Sequence, residues 1–169
     1  GTVRWYRVGD MNLPGNELFM REGGTQLSES TCNRLGLYVR PAGTIVFPKR
    51  GGAIATNKKR ILSVPSAFDL NLMGLFPWDG ISQYFALWFA GIDLRGLSNG
   101  SNVPQINHGD ISCLPVPLPP LTEQQEIARL VKQFTECVGG LQEQASRMGN
   151  QAIHLRQSIL AAAFEGSLC

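Results

Sequence analysis

The chain has 169 residues, 43% hydrophobic and 17% charged, with 19 Gly, 10 Pro and a formal net charge of +2 at pH 7. That length suits one ordinary domain of about 150 residues, and the apolar share excludes wholesale disorder. No apolar run approaches the ~18 residues that a membrane span needs, no charged-then-apolar leader pattern opens the chain, and the net charge alone demands no polyanionic partner.

Up to about residue 118, short apolar runs alternate with Gly, Pro, Asn and Asp, which is the texture of strands and turns. Strands are predicted at residues 3–8, 37–39, 44–47, 60–64 and 114–118. A helix is predicted at 81–89. Its Ile81, Tyr84, Phe85, Leu87 and Trp88 form an apolar face too wide for a surface helix, so these aromatics read as core and not as base-stacking platforms. A second, short helix is predicted at 107–112, where His108-Gly109-Asp110 resembles a turn entry.

The texture changes at the prolines of residues 115–120, beyond which there is no proline. Pro119 and Pro120 tolerate a helix start. Thr122 and Gln125 have capping-box spacing, and Glu123 and Glu126 favour the positive end of a helix dipole. Apolar residues then follow a heptad register. One seam position holds Ile127, Phe134, Leu141, Met148, Leu155 and Ala162; the other holds Val131, Val138, Ala145, Ala152 and Ile159. A seam sustained this long indicates a coiled coil. Gly139, Gly140 and Gly149 each weaken it by up to about 1 kcal/mol relative to Ala. The register nevertheless crosses them without a slip, so one continuous helix from Thr122 to Phe164 is expected. Such a helix needs a partner helix to be stable in water.

Catalysis finds little support. Cys32, Cys113, Cys137 and Cys169 lack metal-ligand spacing, and only His108 and His154 could assist them, so no metal or cofactor is expected and the thiols read as free. Free thiols suit the cytoplasm. No nucleophile elbow, P-loop, zinc-protease or kinase motif is present. The string from Phe89 to Gly96 follows a predicted helix, not the strand that a cofactor-binding glycine turn requires. Asp69, Asp79, Asp93 and Asp110 sit in ordinary turn or cap surroundings. The chain is expected not to be an enzyme.

Positive charge concentrates before the prolines. Residues 1–118 hold eleven Lys and Arg against eight Asp and Glu, whereas residues 119–169 hold four against five. Lys49-Arg50-Gly51-Gly52 follows one predicted strand and Lys58-Lys59-Arg60 precedes another; whether the two runs lie at the same end of a strand pair is left open by the sequence. The polar stretch from Arg95 to Gln105, which includes Asn99, Ser101 and Asn102, carries side chains able to read base edges. Both runs could equally be solvated surface loops.

The block Val103-Pro104-Gln105-Ile106-Asn107, Asp110-Ile111, Leu114-Pro115-Val116-Pro117-Leu118-Pro119-Pro120-Leu121 and Glu123-Gln124-Gln125-Glu126-Ile127 resembles the specificity subunit of type I restriction-modification enzymes. So does the closing string from Leu155-Arg156-Gln157-Ser158-Ile159-Leu160 to Phe164-Glu165-Gly166. Tyr6-Arg7-Val8-Gly9-Asp10-Met11-Asn12 resembles the interior of that family's target-recognition domain, while residues 13–102 match in texture only. The resemblance implies an α+β fold: a strand-rich recognition domain of mixed or antiparallel strands with short helices over residues 1–118, incomplete at its start, followed by a long coiled-coil spacer helix over 119–169. It implies a non-catalytic, cytoplasmic DNA-binding subunit that reads one half of a split double-stranded DNA site. Its partners would be methyltransferase subunits and a nuclease–translocase subunit. As a fragment, its helix is expected to pair antiparallel with a second copy, through Ile127, Val131, Phe134, Val138, Leu141, Ala145, Met148, Ala152, Leu155 and Ile159.

Lys49, Lys58 and Lys59 are expected at phosphates. Arg50, Arg60, Arg95, Asn99, Asn102 and Gln105 are candidates for base edges. Gln105 and Asn107 fit equally a role in bracing the domain, which their place in the constant block favours. The alternative reading is a coiled-coil scaffold that does not bind DNA, distinguishable by the absence of salt-dependent binding.

Overall fold

The computed structural model describes residues 2–77, 82–100 and 102–165. Asp79, Ile81, Ser101, Gly166 and Cys169 of the sequence analysis lie outside them. The chain divides into two compact units, Gly1–Gln124 and Gln125–Cys169.

The first unit is α+β and contains two mixed sheets. In one, β1 (Val3–Tyr6) lies between β3 (Thr25–Leu27), antiparallel, and β6 (Ser66–Phe68), parallel. The other has the order β2 (Phe19–Met20), β5 (Arg60–Leu62), β4 (Ile45–Pro48), β7 (Leu72–Leu75). Its β2–β5 pair is parallel and the remaining pairs are antiparallel. Strand β4 is buried along its whole length. Successive side chains of a strand point to opposite faces. Accordingly Ile45 and Phe47 join Ile54, Met73, Phe89, Leu94 and Ile106 in one core cluster. Val46 joins Tyr6, Met11, Met20, Leu62 and Leu72 in another.

Helix α1 (Glu29–Arg34) is capped by the Ser28 side chain, which accepts from the Thr31 amide at 3.1 Å. Helix α2 (Ser82–Ala90) buries Phe89 completely and Tyr84 almost so, and half-buries Phe85 and Trp88. Its described aromatics are therefore core, as the wide apolar face predicts. Helix α3 (His108–Ser112) begins after Asn107, whose amide donates to Asp110 Oδ2 at 2.7 Å.

Two predicted strands do not form. Residues 114–118 form no strand, because Pro115 and Pro117 have no amide proton to give to a ladder; the segment is tied instead by Tyr84, whose hydroxyl donates to the Pro117 carbonyl at 2.9 Å. Residues 37–39 are likewise outside any strand, and only Arg40 beyond them forms a bridge, to Ser66.

Helix α4 (Leu121–Phe164) is continuous for 44 residues through Gly139, Gly140 and Gly149. Its first turn belongs with the strand-rich unit: Gln124 is buried, and its Nε2 donates to the Pro119 carbonyl at 2.7 Å. Farther along, the seam is open to solvent. Phe134 is 69% exposed, Leu141 60%, Met148 69% and Leu155 63%. Among the described residues, no helix is long and apolar enough to cross a membrane.

Candidate nucleic-acid interface

Strands β4 and β5 run antiparallel with Val46 opposite Arg60. The two basic runs therefore lie at the same end of the pair, joined by a 3-10 turn over Gly52–Thr56 whose Ile54 is buried in the core. Their surroundings differ.

Beyond Pro48 the chain of β4 continues outward and meets the distant segment around Gln105. Arg50 and Gln105 form an antiparallel bridge. The Gly51 amide donates to the Pro104 carbonyl and the Ile106 amide to the Lys49 carbonyl, each at 2.8 Å. Ile106, fully buried, anchors this added strand in the core. Asn99 is drawn in as well: its amide donates to the Gln105 carbonyl at 3.2 Å, and its Oδ1 accepts from the Gln105 amide at 3.3 Å. The Gln105 Nε2 donates to Asn107 Oδ1 at 2.8 Å. Lys49 is half-buried and Arg50 exposed, and among the described residues neither is held in an ion pair. The outcome is a rim with one exposed guanidinium, an ammonium and a row of carboxamides on a cross-bonded backbone. Those groups can make bidentate contacts to base edges and charge contacts to phosphates.

The second run is turned to the protein itself. Lys58 Nζ donates to Asn12 Oδ1. Lys59 Nζ donates to Ile92 O at 2.5 Å and to Asn57 Oδ1 at 2.8 Å. Arg60 Nη1 donates to the Lys59 carbonyl at 2.9 Å and Nη2 to the Met11 carbonyl at 3.5 Å. Burial pushes both Lys59 and Arg60 below their usual pKa ranges, with Asp93 and Glu17 respectively opposing the shift. Arg95 is exposed but clasped: its Nε donates to Asp93 Oδ1 and Oδ2 at 2.9 and 3.0 Å, and its Nη2 donates to Oδ2 at 2.7 Å. The Arg95 side-chain and backbone hydrogen bonds hold the Asp93 carboxyl down at about 2. Asn102 is exposed in the bend before Val103.

Thus Lys49, Arg50, Asn99 and Gln105 converge, whereas Lys58, Lys59 and Arg60 are each held by neighbouring protein groups and Arg95 by its own loop. Sequence reasoning missed Asn57, which holds Lys59, and read Asp93 as a turn or cap residue, which it is, without its clasp on Arg95. The signal available for Asn57 was its type: asparagine tolerates the left-handed backbone it adopts here, φ 52°. Among the described residues, no group of three or more His, Cys, Asp or Glu side chains could hold a metal ion.

The type I restriction modification DNA specificity domain family matches residues 1–146, and the chain belongs to it. Among curated relatives, the type I restriction enzyme EcoDI specificity subunit of Escherichia coli is 37% identical over 94 residues, covering 56% of this chain and 20% of that protein. The MjaIX specificity subunit of Methanocaldococcus jannaschii is 23% identical over 92% of this chain and 36% of its own length. The EcoKI specificity subunit of E. coli is 28% identical over 85% and 32% respectively. The chain thus spans between a fifth and about a third of the length of these relatives. A chain in a solved structure concerning complex assembly and conformational transition of the type I R-M system superposes with a TM-score of 0.73. It is 18% identical, the match covers 98% of this chain and 39% of that one, and the likeness concerns the fold.

Proposed function

We propose that this chain reads one half of a bipartite DNA site as the specificity element of a type I restriction-modification complex. The observation that carries this reading is the Arg50–Gln105 bridge. It joins residues far apart in sequence into one rim of Lys49, Arg50, Asn99 and Gln105, in a chain whose family is defined by DNA specificity. In this reading Arg50, Asn99 and Gln105 face base edges, with Asn102 beside them, and Lys49 meets phosphates, joined by Lys58 when it leaves its exposed contact with Asn12. Arg95 contributes when it leaves Asp93. Arg60, whose Nη1 and Nη2 already donate to the Lys59 and Met11 carbonyls, is left out of the contact set.

The chain acts without catalysis of its own, in the cytoplasm where its DNA lies. Methyltransferase subunits, and a nuclease–translocase subunit for cleavage, supply the chemistry. The strand-rich part, residues 1–118, is the reader and residues 119–169 are the spacer. The open seam of α4 supports antiparallel pairing with a second copy when no other helix is offered. Two identical readers would then face a symmetric, interrupted site.

The test is binding to a duplex selected from a random pool by the unaltered chain. Arg50→Ala should cost about 1–3 kcal/mol and relax the choice of base at one position. Lys49→Ala should weaken all sequences alike and lower the salt slope by about one. Unchanged binding in both variants removes this rim as the reader. The same exposed seam favours a second reading, a scaffold in which the coil is the function; the absence of any salt-dependent duplex binding would select it.

A further inference from the structure

Lys59 lies just before β5, in a run of cations, yet its ammonium faces inward. Besides Ile92 O and Asn57 Oδ1, Nζ reaches Ala90 O at 3.4 Å and Asn57 O at 3.5 Å. It also lies 5.7 Å from the centroid of the buried Phe89 ring. The Ala90 and Ile92 carbonyls lie at and just beyond the C-terminal end of α2, where a helix leaves acceptors unpaired and its dipole favours a cation. Lys59 serves as their cap.

Asn57 completes the junction. It ends the 3-10 turn over Gly52–Thr56 in the left-handed region. Its Oδ1 accepts both from Lys59 Nζ and from the amide of the fully buried Leu94, the latter at 3.0 Å. Asn57 and Lys59 therefore join three segments: the turn leading back to Arg50, the end of α2, and the 3-10 turn over Leu94–Leu97 that leads on to Asn99 and Gln105. The two sides of the reading rim both depart from this junction.

We propose that Asn57 and Lys59 are positioning residues of the DNA-reading rim, holding Asn99 and Gln105 in place against Arg50, and that Lys59 does not touch DNA. This inference rests on the DNA reading proposed above. It deepens that reading by separating cations that contact the duplex from one that aligns the reader.

The experiment compares Lys59→Met, which keeps the length of the side chain without its charge, with Asn57→Gly, which keeps the backbone conformation without the carboxamide. Lys58→Met serves as the phosphate-contact comparison. Amide exchange at Leu94, Asn99 and Ile106 is measured together with binding to the pool-selected duplex and to single-base variants of it, across a salt series. Lys59→Met and Asn57→Gly are both expected to speed exchange at these amides about tenfold, as local opening does. Both should reduce the preference for the selected duplex about tenfold and leave the salt slope unchanged, whereas Lys58→Met should lower that slope by about one and keep the preference. A slope lowered by about one in Lys59→Met, with exchange unaltered, would make Lys59 a phosphate ligand and overturn the inference. Faster exchange with the preference intact would also overturn it, since the pair would then serve the fold alone. If the unaltered chain selects no duplex from the pool, the DNA reading itself fails, and that control separates the two failures.

Discussion

Strand β4 and helix α4 carry equally regular apolar patterns and meet opposite fates. In β4 the period of two sends Ile45 and Phe47 to one cluster and Val46 to another, and all three are at most 2% exposed. In α4 the heptad period lines up Phe134, Leu141, Met148 and Leu155, each at least 60% exposed. Periodicity states which face seeks cover. It does not state whether the cover lies in the same chain. The strand finds its cover among residues of its own unit; in the helix seam Phe134, Leu141, Met148 and Leu155 stay exposed.

Mutations that treat the two regions oppositely put this contrast at risk. Leu141→Asp places a charge in the seam and should abolish self-pairing, halving the mass in solution by light scattering while leaving the melting of the strand-rich unit in place. A mass unchanged by the substitution would mean that the seam does not pair copies of the chain. Phe47→Ala should do the reverse. Phe47 is fully buried and its ring centroid lies 5.0 Å from that of Phe89, so truncation should destabilise the strand-rich unit by about 3–5 kcal/mol in denaturant unfolding. The helical signal and the associated mass should persist at denaturant concentrations where that unit has already unfolded. A loss below about 1 kcal/mol would show that β4 is not the centre of the core.

The same contrast explains what could be read in advance. Strand β4 was legible as an unbroken apolar run and helix α4 because it repeats a heptad without a slip. Strands β6 and β7 were not, since Ser66-Ala67-Phe68 is only three residues long and Gly74 interrupts β7. Packing is tight at Gly74: a Cβ there would stand 2.7 Å from Phe68 Cζ and 3.0 Å from Thr44 Cγ2, so the Phe68 ring would have to shift. The alternating prolines at 115 and 117 misled in the other direction, because an apolar rhythm counts as a strand only where amides are free to pair. At the site, residue types were legible and pairings were not. Arg50 and Gln105 were candidates from chemistry, but their bridge is a product of the fold. The three consecutive cations at 58–60 read as DNA contacts or as a solvated loop, and only tertiary structure shows each one engaged by a neighbour.

Arg95 offers the finest comparison, because it is exposed like Arg50 and yet engaged. Its hydrogen bonds to Asp93 hold that carboxyl at about 2, below its ordinary 3.8. A carboxyl whose pKa is lowered by folding stabilises the fold above its unfolded pKa, and that contribution fades as pH falls through the folded value. The clasp should therefore be complete above pH 3.8 and open as the pH falls toward 2. An NMR titration of the Asp93 carboxyl should show its midpoint near 2 and, in Arg95→Ala, a midpoint moved most of the way back to 3.8, the Arg95 amide still donating at 3.0 Å. A midpoint near 3.8 in the unaltered protein would mean that the clasp does not form in solution. Asp93→Asn keeps a capping side chain at the start of the 3-10 turn but removes the charge that holds Arg95. The freed guanidinium should then strengthen binding to all duplexes and steepen the salt slope by about one. If the slope stays fixed, Arg95 lies beyond reach of the DNA, and the reading surface narrows to the rim built on Arg50 and Gln105.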